Sequence, residues 1–135
     1  MQLIVGLKGT GKTKTLIDAV NAAASETNGV VICIECGRKL TFDIKPNARL
    51  VDTQEYGVNT ADELYGFVCG MLAGNYDITE LFIDSALKIC GDDIAAFEEF
   101  VCNVEKITSA HKIECMIVAS VAAEALTEKT ACFVK

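Results

Sequence analysis

Gly6, Gly11, Lys12 and Thr13 stand at the spacing G-x-x-x-x-G-K-[ST] within the stretch Gly6-Leu7-Lys8-Gly9-Thr10-Gly11-Lys12-Thr13. That spacing suits one chemistry above others, the cradling of phosphate groups. Glycines let the backbone curl so that successive N–H groups converge on an anion. A helix opening at Thr13 would aim its positive end at the same place. Lys12 can then reach the β- and γ-phosphates, and the Thr13 hydroxyl can ligate magnesium. Lys8 and Lys14 flank the phosphates and add positive field. Leu7 and Thr10 occupy the variable positions, so the whole run Gly6–Lys14 is the expected nucleotide-binding stretch. The simpler reading is a glycine-rich turn linking strand to helix. It is disfavoured by the setting, between the apolar run Leu3–Val5 and a helical pattern.

A phosphate cradle needs a second holder for magnesium, and an acidic residue at the end of an apolar strand supplies it. Leu81-Phe82-Ile83-Asp84 has that form, with Ser85 beside it to orient a metal-bound water; otherwise Asp84 merely caps a turn. Hydrolysis also needs a group that positions water. Glu35 directly follows Val30–Ile34 and would emerge at the carboxyl edge of a parallel sheet, where ligands bind; otherwise it is a solvated loop carboxylate. Ser120 ends a later apolar run at the same edge, as a γ-phosphate contact or simply a polar strand end. Transition-state charge calls for an arginine, and only Arg38 and Arg49 exist. Arg38, three residues after Glu35, is the better placed. His111, the single histidine, lies between a helical pattern and a strand pattern and reads as a helix C-terminal residue. Cys33 and Cys36 form C-x-x-C, but no second pair accompanies them, so a zinc or redox site is not expected.

The elements that must carry these residues alternate between apolar runs and helical periods, the pattern of βαβ units and a parallel sheet. A helix is expected from about Lys12 to Ala24, with Leu16, Ile17 and Val20 on one face. Strands are expected at Val30–Ile34, Arg49–Val51, Glu80–Asp84 and Ile113–Ala119. Thr60-Ala61-Asp62-Glu63 is a capping box that opens a helix with Leu64, Phe67, Val68, Met71 and Leu72 on its buried stripe, stopped by Gly74. Asp92 and Asp93 open another, with Ile94, Phe97, Val101, Val104 and Ile107 on one face. A helical turn at Glu124–Leu126 and a small last strand at Ala131–Val134 close the chain.

With 135 residues, 51% of them hydrophobic and one proline, the chain reads as a single folded domain, 1–135. No apolar run reaches membrane-spanning length, and the amino terminus lacks the basic region of a signal peptide. Seven cysteines without regular spacing suggest reduced thiols and a cytoplasmic protein. A net charge of −7 opposes nucleic-acid binding and anionic membrane surfaces.

In this order GLKGTGKT, VVICIE, ELFIDS and CMIVAS resemble the RecA-like branch of the P-loop NTPases, over residues 1–120. The IDS wording is similar to the RadA and KaiC-type members. The resemblance implies a three-layer α-β-α sandwich on a mostly parallel sheet of about five strands, with the sensor strand between the P-loop strand and the Walker B strand. It also implies ATP and Mg²⁺ as ligands, phosphate binding by Gly9–Thr13, magnesium support from Asp84, water activation by Glu35 and a sensor position at Ser120. Relatives often share a site at a subunit interface, which admits a homo-oligomer. The chain is shorter than a usual RecA-type domain and shows no basic DNA-binding loops. The histidine-rich and arginine-rich boxes of twitching-motility motors are also missing. Three functions compete. One is a slow magnesium-dependent ATPase acting as a switch or small motor subunit. Another is a non-enzymatic nucleotide sensor that signals to a protein partner. The third is a small-molecule kinase, weakened by the lack of an arginine-bearing lid; a GTPase is weaker still, without N-K-x-D.

Overall fold

Short apolar runs make strands, those inside a parallel sheet being the most buried, and five strands form one sheet here. The computed structural model describes all 135 residues, with β1 at Gln2–Gly6, β2 at Val30–Glu35, β3 at Ala48–Asp52, β4 at Ile78–Ile83 and β5 at Glu114–Ser120. Every pairing is parallel, and the spatial order is β1-β5-β4-β2-β3. β5 therefore lies between β1 and β4.

Strand alternation sends odd and even residues to opposite faces, and each face has its own helices. Val31 and Cys33 meet Leu16 and Val20 of α1 (Lys12–Glu26), together with Leu40 and Ile44 from the segment after β2. Ile32 and Ile34 face the other way, into a larger core with α2 (Ala61–Gly74) and α4 (Ile94–Ala110). Helix layers thus cover both faces of the sheet.

The helix starts follow their capping residues. The Thr60 hydroxyl accepts from the Glu63 N–H at 3.1 Å, while the Glu63 carboxylate accepts from Asn59 rather than from Thr60. Asp93 caps α4 by accepting from the Ala96 N–H. His111 is the residue that closes α4.

Three features depart from the sequence reading. A short helix α3, Ala86–Ile89, follows β4 directly, and a single 3-10 turn at Thr53–Tyr56 follows β3. The expected strand at Ala131–Val134 does not form. Glu128–Ala131 is a short helix, α5, and only an isolated bridge joins Val134 to Leu3. The tail still serves the sheet: the Leu3 N–H donates to Phe133 and the Lys135 N–H to Leu3, which covers the free edge of β1.

Candidate functional site

β1 ends at Gly6 and α1 begins at Lys12, so five residues must turn the chain from the sheet onto its face. Gly9 and Gly11 do so at φ 82°, a left-handed conformation that favours glycine. A Cβ on Gly6 would lie 2.8 Å from the Thr10 hydroxyl, so the approach there is too close for a side chain. No side chain caps α1, and no acidic residue stands in its first turn. Its leading N–H groups are therefore available to an anion. Lys12 is 8% exposed, and its ammonium donates to the Leu7 carbonyl at 2.8 Å and to the Thr10 hydroxyl at 3.3 Å.

This loop forms one wall of a cleft of about 280 Å³ at the carboxyl edge of the sheet. Lys8, Lys12, Thr13 and Lys14 line it from the loop and α1. Asp84 and Ser85 enter from the end of β4, Ser120 from the end of β5, and Lys39 from the segment after β2. Four lysines thus face a single carboxylate in a chain whose net charge is −7. Larger cavities of about 490 and 510 Å³ lie at the amino edge of the sheet and beside α2. Neither combines helix-terminal N–H groups with converging cations, so volume alone does not identify the site.

Asp84 is buried at the cleft floor, its N–H donating to the Ile34 carbonyl. Burial pushes its carboxyl above the ordinary carboxylate range, while the charge of Lys39, the hydrogen bonds from Ser85 and, last, the charge of Lys12 pull it down. Its side-chain partner, the Ser85 hydroxyl, stands at 3.5 Å. Ser85 takes a left-handed backbone at φ 56°, unusual for a residue with a Cβ and typical of strain held at a site. A buried carboxylate with few donors and the hydroxyl of Thr13 on the same cleft form an oxygen donor set that suits magnesium, which keeps most of its own waters. No cluster of three or more histidine, cysteine or acidic side chains is placed to hold a metal by itself.

Of the expected site residues, Gly6, Leu7 and Thr10 belong to the loop without lining the cleft, and Glu35 and Arg38 are held away from it. Glu35 emerges at the carboxyl end of β2 as expected, but it is only 1% exposed and does not line the cleft. Its Oε1 accepts from the N–H groups of Lys39 and Leu40 at 3.0 and 3.3 Å, and Oε2 accepts from Leu40 at 3.3 Å. Burial raises its carboxyl above the ordinary value, those two N–H groups oppose the rise, and the charges of Asp84 and Asp52 add to it. Arg38 turns the other way, 74% exposed, with Nε 3.8 Å from Asp52 and Nη2 3.8 Å from Glu55. The cation that reaches the cleft from this segment is its neighbour Lys39. Both residues follow β2 closely; which of them faces the phosphate loop is decided by the backbone turn that Glu35 anchors, a contact without a sequence signature.

Cys33 of the C-x-x-C pair is buried, and burial, then Asp84 and Glu35, push its thiol far up, so this sulfur is held as the neutral thiol. Compared with models of known families and with curated proteins, the chain matches none.

Proposed function

We propose that this chain is a P-loop nucleotide-binding protein of RecA-like architecture that takes ATP with magnesium and hydrolyses it slowly, as a switch or small motor subunit. The observation that carries the reading is the cleft itself: an uncapped helix start, a left-handed glycine loop, four lysines and one buried aspartate at a single sheet edge. Lys12 and the loop N–H groups would bind the phosphates, Thr13 and Asp84 would hold magnesium, and Ser120 would contact the γ-phosphate or its water. The strand order, with β5 between β1 and β4, supports the RecA-like comparison. Seven free thiols fit a reducing, cytoplasmic setting.

A second reading, a nucleotide sensor without turnover, is favoured by Glu35. Its carboxylate is engaged by two backbone N–H groups and does not line the cleft, so no glutamate is poised to take a proton from water. Titration calorimetry on Lys12→Ala tests what both readings share. ATP affinity should fall at least tenfold, about 1.4 kcal/mol. Unchanged affinity would sink the phosphate-site assignment.

A further inference from the structure

Between β2 and β3 the chain leaves the sheet, crosses α1 and returns, and three sets of contacts fix its path. Leu40 and Ile44 are buried against Leu16 and Val20. Asn21 of α1 clamps the far end, donating to the Asp43 carbonyl and accepting from the Lys45 N–H, both at 2.8 Å. Glu35 clamps the near end through the N–H groups of Lys39 and Leu40. Buried side chains and backbone clamps hold this segment, whereas the Lys39 side chain stays exposed and lines the same cleft as the phosphate loop.

The strand order sets the direction of approach. The phosphate loop stands at the end of β1; Asp84 and Lys39 follow β4 and β2, two and three strands along the order β1-β5-β4-β2. Phosphates seated on the loop N–H groups and the start of α1 would have Asp84 and Lys39 across the cleft, on the side away from β1. Lys39 and Asp84 line the same cleft, each following its own strand at the carboxyl edge.

We propose that Lys39 is the residue that reads the third phosphate, so that the cleft distinguishes a nucleoside triphosphate from a diphosphate, and that Glu35 is a positioning residue holding Lys39 there. This rests on the nucleotide reading above and names its ligand class more narrowly. A lysine over the terminal phosphate adds a charge-assisted contact to the triphosphate alone. A merely solvated lysine would affect both nucleotides alike or neither.

Calorimetric titration with ATP and ADP, each with magnesium, tests this on the wild type, Lys39→Met, Lys39→Arg and Glu35→Ala. Lys39→Met should weaken ATP binding about tenfold or more, the scale of one hydrogen bond to a charged group. ADP binding should change by less than about threefold, and Lys39→Arg should recover most of the ATP affinity. Glu35→Ala should lower the ATP-to-ADP preference in the same way, an effect that general loosening of the fold would not produce selectively. Equal losses for ATP and ADP, or no loss for either, overturn the role of Lys39 while leaving the phosphate site intact. Failure of the wild type to bind either nucleotide overturns that site and this inference together.

Discussion

Glu35 has 1% of its surface exposed, and a buried carboxylate must find donors or give up its charge. It finds them in the two N–H groups of the turn that follows its own strand, while the Thr53 hydroxyl donates to its carbonyl at 3.2 Å. Removing the carboxylate orphans both N–H groups inside the protein. Glu35→Ala should cost about 2 kcal/mol or more in urea unfolding, because hydrogen bonds to charged groups contribute roughly 1.5–3 kcal/mol each. Glu35→Gln keeps one oxygen where Oε1 accepts both bonds, so its loss should be clearly smaller. A Glu35→Ala variant as stable as the parent would contradict the anchoring role.

At the scale of elements, the carboxyl-terminal segment depends on α4 through one side chain. Glu98 of α4 is buried, and its Oε2 accepts from the Thr127 N–H at 2.8 Å and from the hydroxyls of Thr127 and Thr130 at 2.9 and 2.7 Å. Burial pushes this carboxyl up, but the bonds from Thr130 and Thr127, with the charge of Lys129, outweigh it and hold the group below its ordinary value of 4.5. A carboxyl depressed in the folded state contributes stability above its unfolded value and loses it as pH falls through the folded one. Glu98→Ala should therefore cost about 2 kcal/mol at neutral pH, with the gap to the wild type narrowing as pH falls below the ordinary value of 4.5. Urea unfolding at neutral and acid pH checks this, and a gap that stays constant with pH would show that the carboxylate charge is not what holds the segment.

The same segment illustrates what sequence could and could not convey about the elements. All five strands of the sheet and the three long helices were legible, because apolar runs, capping residues and helical spacing are local signals. Ala131–Val134 looked like a strand because Ala, Cys, Phe and Val suit one. Its register with Leu3 is a contact across the whole chain, and Glu128–Ala131 is drawn into a helical turn by the Thr127 cap. α3 is too short for a period, and it starts at a left-handed serine that no propensity scale favours. The position of the segment 6–13, Asp84 and Ser120 at the carboxyl edge of the sheet was legible because strand ends and a contiguous motif fix it. Lys39 was not, because the turn that aims it is set by Glu35 from below.

Across the whole molecule, the two clefts at opposite ends of the strands carry different charge. The carboxyl edge gathers Lys8, Lys12, Lys14 and Lys39, whereas the cavity at the amino edge is lined by Glu26, Glu80 and Glu114. Glu80 and Glu114 are register partners on adjacent parallel strands, and no lysine or arginine pairs with either. Burial first, then Glu114 and Glu26, raises the Glu80 carboxyl above its ordinary value of 4.5. The sign here is opposite to that of Glu98. A carboxyl raised in the folded state favours folding below its unfolded value, and that advantage is lost as pH climbs through the folded one. Ionised Glu80 thus costs stability at neutral pH, where three like charges stand together in a chain already at −7. Glu80→Gln should raise the unfolding free energy at pH 7 by an amount on the order of 0.2–1 kcal/mol, the scale of a like-charged cross-strand pair, and the midpoint with it. The gain should shrink in acid, since the raised wild-type carboxyl is already taking up its proton before pH falls to its ordinary value of 4.5, and should fall with added salt at neutral pH as the neighbouring charges are screened. Thermal unfolding followed by circular dichroism at neutral and acid pH, with and without salt, measures all three effects. A variant less stable than the parent at neutral pH would mean that Glu80 is satisfied by its surroundings and that the amino edge carries no electrostatic strain.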